Sequence, residues 1–146
     1  ELRHSIFDLR IALDHETGLG AALSSYARQV GTQTGLKLHL AHEESHERLR
    51  PEVEAELLRI GQEAITNVRK HAKARNLWLT VTVTAPAAHI RVVDDGAGGT
   101  ERGDGRYGLD IMAERARRIG ATLVIEQAPQ GGTVVDVALS GTHGER

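Results

Sequence analysis

Three groups of residues have the types and spacing to act together on a substrate. In "QEAITNVRKHAKA", Glu63, Asn67 and His71 recur at intervals of four, with Lys70 beside them. On an α-helix that spacing places all three on one face. A carboxylate and an amide oxygen one turn apart can bind a hard cation such as Mg²⁺ together with phosphate oxygens. Taken alone, the same face is also what a solvated polar stripe looks like. Further on, an apolar run ends in Asp94 and Asp95, followed by Gly96 and Gly98 in "DDGAGG". A carboxylate at a strand end accepts a hydrogen bond from an exocyclic amino group such as the 6-amino of adenine. Guanine presents an oxygen there and is repelled. The glycines let backbone approach a flat ring closely. An acidic turn closing a hairpin would use the same letters.

The third group is "GDGRYG", residues 103–108, which matches G-x-G-x-x-G literally. A dinucleotide-binding loop needs those glycines directly after a strand and opening a helix. Here the strand ends near Asp95, well before Gly103, and it ends in two carboxylates that would oppose a pyrophosphate. The Rossmann reading therefore fails. Gly105, Gly108 and the N-terminus of a helix near Leu109 fit instead a cradle of backbone N–H groups around phosphates.

The elements that must position these residues follow from periodicity. Residues 1–15 read as a helix on Leu2, Ile6, Leu9 and Leu13, stopped by "HETGLG". A second helix runs over residues 19–31, and "LKLHLAH" alternates as a strand. After the polar "EESHERLR", Pro51 opens the longest helix, with Glu52 and Glu54 complementing its N-terminus and an apolar stripe reaching toward residue 73. Two strands, "NLWLTVTVTA" and "HIRVVDD", precede a Gly-rich loop over residues 96–106. A helix over residues 108–119, the strand "TLVIEQA", the turn "PQGG" and the strand "TVVDVALS" complete the order. Only one helix separates strands late in the chain. This predicts a two-layer α/β (α+β) sandwich, with a mixed, mostly antiparallel sheet packed on helices.

Composition bounds the rest. The 146 residues make one domain's worth of chain, 40% hydrophobic and 26% charged. A net charge of -2 gives no electrostatic case for direct nucleic-acid binding. The absence of cysteine rules out disulfides and thiolate metal sites and fits a reducing compartment. Aromatics are only 3%, so the core is expected from Leu, Ile, Val and Ala. In "HLAHEESH", His39, His42 and His46 with Glu43 and Glu44 suggest zinc. Yet His39 and His42 are three apart on a strand and point to opposite faces, so the segment reads as a solvated loop.

Taken in order, these motifs resemble the ATP-binding catalytic domain of bacterial two-component sensor histidine kinases, the GHKL or Bergerat fold shared with gyrase, Hsp90 and MutL. "EAITNVRKHAKA" is similar to the N box, "DDGAG" to the G1 box, and "GRYGLDIMAERARRIGATL" to the G2 box with its helix. "GGTVVDVAL" is similar to the strand whose Thr lies near the base. "ELRHSIFDLR" is similar to the end of the dimerisation domain in the NarL/DevS-like subfamily.

The resemblance implies ATP and Mg²⁺ as ligands. It also implies a division into residues 1–16 (the end of a dimerisation helix and linker), 17–141 (the catalytic domain) and 142–146 (a tail). Asp94 would recognise the adenine amino group, with Gly96 and Gly98 giving the ring room and Thr133 supporting the base. Asn67 would bind Mg²⁺. Glu63 would orient or activate the attacking group and stands as a second metal candidate. Lys70 and His71 would reach phosphates, and Gly105, Gly108 and Leu109 would belong to the ATP lid and its helix.

The sequence departs from the family pattern at Asp95, where Asn is common, and at Arg69, Gly99 and Ile111, and its lid is short. The phosphoacceptor histidine is not evident: His15 in "LDHETG" lies on a helix that Gly18 and Gly20 interrupt. The implied parent is a cytoplasmic-facing homodimeric kinase, soluble or membrane-anchored, that phosphorylates a histidine of its own dimerisation domain and passes the group to a DNA-binding response regulator. Two alternatives stay open: an anti-sigma-factor serine kinase or ATPase module of the same fold, and a degenerate interaction domain that binds no nucleotide.

Overall fold

The computed structural model describes residues 18–96, 103–128 and 131–141. The expected helix over residues 1–15, with His15, lies outside them, as do Gly98, Gly99 and the tail 142–146.

Helix α1 (Leu19–Thr34) buries Leu19, Ala22, Leu23, Ala27 and Val30. Its N-terminus has no cap from Gly18. The carboxylate of Glu44, at the far end of the next strand, accepts hydrogen bonds from the N–H groups of Gly20 (2.8 Å) and Ala21 (3.3 Å) instead, an anion where the helix dipole favours one. The helix continues three residues past Gly31 and stops at Gly35, whose φ of 81° closes it through a bond to the Gly31 carbonyl. Strand β1 (Lys37–Glu44) follows. Helix α2 (Pro51–Asn67) has Pro51 in its first turn and buries Leu57, Ile60, Ala64 and Ile65.

The long helix does not run uniformly to Lys73 as its periodicity predicts. From Val68 to Ala72 it widens into a π turn that ends at Lys73, a non-glycine residue at φ 51°. A π turn takes more residues than an α turn, so the regular α-helical repeat ends at Asn67.

Strands β2 (Asn76–Thr84) and β3 (Ala87–Asp94) form an antiparallel hairpin. Helix α3 (Gly103–Ile119) leads to β4 (Thr122–Gln127) and β5 (Thr133–Leu139). Helix α3 begins at Gly103, five residues before the expected start, so "GDGRYG" forms its first turns rather than a loop. Three glycines in six residues oppose helix, so these turns depend on the helix behind them. Once nucleated by the apolar positions that follow, each further residue adds a hydrogen bond.

The sheet has the order β1-β2-β3-β5-β4, with β1 and β2 parallel and every other pair antiparallel, the mixed and mostly antiparallel arrangement expected. Leu77, Leu79, Val81, Ile90, Val92 and Val137 point under the helices and are almost fully buried. The alternate positions turn outward, among them Trp78, which is 38% exposed and stacked on His39 at 5.0 Å between ring centroids. His42 points the other way, toward Glu44 and the start of α1. Among the described residues no group of three His, Cys, Asp or Glu side chains could hold a metal ion. One flaw stands out in the core: Ser24, on α1, is buried and its hydroxyl has no hydrogen-bond partner among the described residues.

Candidate functional site

Antiparallel pairing carries the acid pair and the last strand to the same end of the sheet. Val93 faces Val134 across the β3–β5 ladder, so Asp94 lies beside Thr133 and the turn that precedes it. Asp94 is 4% exposed and Thr133 7%. The Gly96 N–H donates to Asp94 Oδ1 at 2.8 Å. Burial pushes the Asp94 carboxyl above the usual aspartate range. The adjacent Asp95 charge adds to this, and the N–H groups of Gly96 and Thr133 work against it. A carboxylate has about four acceptor positions on its two oxygens, so one bond from Gly96 leaves capacity for a ligand's donor.

Asp95 has a different job. Its Oδ1 accepts from the N–H groups of Arg75 and Asn76, both at 2.9 Å, and its Oδ2 from the Asn76 amide at 2.9 Å. Those bonds, the Asn76 side chain first, hold its carboxyl below the usual range. With Asn76 Nδ2 committed to Asp95, Asn76 Oδ1 is left to accept from His39 Nε2 at 2.9 Å. Asp95 therefore staples the end of β3 to the start of β2.

Gly132 brings β5 close enough to complete this end. At φ 85° it packs so tightly that a Cβ would lie 2.1 Å from the Asp94 carbonyl oxygen. Gly131, at φ 94°, faces the Gly96 carbonyl. The sequence marks Thr133 but reads "PQGG" only as a turn. The available signal was a pair of glycines leading into a strand, which only β3–β5 pairing turns into a close approach.

A second cluster lies between α2 and α3. Glu63 and Asn67 are both partly buried on α2, and Gly108 of α3 sits directly on them. A Cβ there would meet Glu63 Oε2 at 2.6 Å and Asn67 Oδ1 at 3.2 Å. The bare glycine thus lets the α3 backbone close directly onto a carboxylate and an amide. They are hard donors of the kind Mg²⁺ takes, usually with one or two carboxylates and the remaining positions left to water and phosphate.

The other candidates divide. Lys70 is exposed on the π turn, Leu109 packs against the hydrophobic core, and Gly105 lies in the first turns of α3. The side chain of His71 lies outside what the structure describes. Sequence reasoning marks Asp94, Gly96 and Thr133, which β3–β5 pairing brings to one end of the sheet, and it groups Glu63 with Asn67 but assigns Gly108 to the lid rather than against them. It misses Asp95's structural role and Gly131 and Gly132.

Residues 52–142 match the family described as histidine kinase-, DNA gyrase B-, and HSP90-like ATPase. Among curated proteins, the chain is 34% identical to the signal transduction histidine-protein kinase/phosphatase DegS of Brevibacillus brevis, over 99% of this chain and 38% of that protein. It is also 34% identical to the nitrate/nitrite sensor protein NarQ of Escherichia coli, over 99% of this chain and 26% of that one. The chain thus spans well under half the length of these relatives. Among solved structures, the fold is similar to the blue-light activated histidine kinase EL346 of Erythrobacter litoralis, with a TM-score of 0.68 at 20% identity over 88% of this chain and 44% of that one. It is likewise similar to the ATP binding domain of PrrB from Mycobacterium tuberculosis, with a TM-score of 0.52 at 23% identity over 80% of this chain and 92% of that one.

Proposed function

Because the chain belongs to the histidine kinase-, DNA gyrase B- and HSP90-like ATPase family, we propose that it is the ATP-binding catalytic domain of a sensor histidine kinase. In this reading it transfers the γ-phosphoryl group of ATP to a histidine. The observation that carries it is the buried Asp94 carboxyl, held by Gly96 and flanked by Thr133 at the open end of the β3–β5 ladder. Asp94 accepts a hydrogen bond from the adenine amino group, and its burial strengthens that bond while excluding the guanine oxygen. Thr133 supports the base from β5, and Gly98 gives the ring room.

The phosphates extend toward Glu63, Asn67 and Gly108, with Lys70, His71 and Gly105 as further candidates from the π turn and the first turns of α3. Asn67 would hold Mg²⁺ through its amide oxygen, with Glu63 as a second donor. When bound, the ion neutralises charge on the triphosphate. Glu63 orients the attacking imidazole. As the N–P bond forms, the bond from the γ-phosphorus to the β–γ bridging oxygen breaks and ADP leaves. Most of the acceleration in such a site comes from positioning and charge neutralisation.

The accepting histidine belongs to a dimerisation domain, within a homodimer that hands the phosphoryl group to a DNA-binding response regulator at the cytoplasmic side. Among the described residues no helix is long and apolar enough to cross a membrane.

Isothermal titration with ATP and with GTP, each with and without Mg²⁺, tests the reading. Binding of ATP but not GTP, tightened by Mg²⁺, is expected. Equal binding of both nucleotides would remove Asp94 from the base pocket. Absence of any binding would favour an interaction domain that does not use nucleotide.

A further inference from the structure

Helices α2 and α3 meet at two places. Near the C-terminal end of α2, Gly108 sits on Glu63 and Asn67. Seven residues earlier on α2, Glu56 Oε1 accepts from Arg115 Nη1 at 2.9 Å and Glu56 Oε2 from Arg118 Nη1 at 3.4 Å. Arg115 is itself seven residues after Gly108. Two turns on each helix separate the contacts, about 10 Å along an antiparallel pair. Glu56, Glu63 and Asn67 share one face of α2, at spacings of seven and four.

Gly108 brings no side chain of its own to fix its place over Glu63 and Asn67, so its position is set by the residues that follow it on α3. Met112 and Ala116 are buried there, but apolar contact is non-directional and tolerates sliding and rotation. The Glu56 pairs fix direction. The Glu56 side chain is 19% exposed and that of Arg115 29%, so the pair is partly withdrawn from water and screened less than a surface pair.

We infer that Glu56 is a positioning residue for the phosphate and metal end of the site, acting through Arg115 and Arg118 to hold Gly108 in register with Glu63 and Asn67. This inference rests on the nucleotide-binding function proposed above. Glu56 touches neither nucleotide nor metal. The base end, built from β3 and β5, does not depend on it.

The test is the gain in ATP affinity on adding Mg²⁺, measured by titration for the wild-type chain and for Glu56→Gln. The variant is expected to keep its metal-free ATP affinity within about twofold and to lose roughly tenfold in the presence of Mg²⁺, as changes behind a metal ligand typically do. Arg115→Gln breaks the contact from the other helix and must give the same pattern, which covers the case in which Glu56→Gln does not fold. Charge reversal across the pair, Glu56→Arg with Arg115→Glu, is expected to restore part of the gain. An equal loss with and without Mg²⁺, or an unchanged gain in both single variants, overturns the inference. A wild-type chain that binds no ATP overturns the functional reading itself, an outcome distinct from either.

Discussion

Replacing Gly132 with alanine should unfold more of this protein's stability than its single added methyl group suggests, and a second glycine supplies the control. Gly35 and Gly132 have nearly the same positive φ, 81° and 85°. A Cβ at Gly35 meets nothing within 4 Å, whereas at Gly132 it lies 2.1 Å from the Asp94 carbonyl oxygen, 2.9 Å from the Asp94 carbonyl carbon and 3.0 Å from Asp95 Cα. Both substitutions carry the cost of a left-handed conformation for an L-residue, about 1–2 kcal/mol. That cost is offset by up to about 1 kcal/mol because alanine restricts the unfolded chain more than glycine does.

Gly35→Ala should therefore destabilise by about 1 kcal/mol or less. Gly132→Ala adds an overlap with backbone atoms that cannot rotate away, a further ~1–3 kcal/mol of overpacking. Urea denaturation of the two variants beside the wild type measures the difference directly, provided the slopes agree. A separation of about 2 kcal/mol is expected, with ATP binding weakened in Gly132→Ala alone because Asp94 must shift to make room. If the variants unfold within about 0.5 kcal/mol of each other, the tight β3–β5 junction described here is not what Gly132 is for.

Three further substitutions test other parts of the structure. Asp94→Asn should abolish ATP recognition yet raise thermal stability near neutral pH. A carboxyl whose pKa rises on folding contributes stability that is full below its unfolded pKa, about 3.9, and is lost as pH rises through the folded value. Melting curves from acid to neutral pH should show the advantage of the variant vanish below about pH 4, and coincident curves throughout would mean that Asp94 is not strained by burial. Asn67→Asp should change the affinity for ATP in Mg²⁺ more than that for ADP without metal. Titrations in which both change equally would take Asn67 out of the metal site. Ser24→Ala removes a buried hydroxyl without a partner and should stabilise by ~1 kcal/mol in denaturant titration; a loss of that size would point to a hydrogen bond made by that hydroxyl.

The two constellations were legible because each is local in sequence. Glu63 and Asn67 need only one helical turn, and Asp94 and Gly96 only one strand end. The π turn was not legible, since nothing in the letters from Val68 to Ala72 distinguishes it from one more α turn. The earlier start of α3 ran against glycine's low helix propensity and depends on propagation from the apolar positions behind it. Asp95, Gly131, Gly132 and Glu56 were missed for a common reason. Each acts on a residue 19 or more positions away, as Asp95 does on Asn76 and Glu56 on Arg115, and such partners exist only after the strands and helices have paired.

The stacked pair on the outer face of the sheet has a use of its own. Trp78 is the sole indole in the chain, so its emission has one source and needs no deconvolution. Its ring lies against His39, whose Nε2 is bonded to Asn76, and Asn76 is held by Asp95, the neighbour of the residue assigned to the base. The protein thus carries an optical label already wired to its candidate pocket, placed where no dye or added tryptophan has to disturb the fold.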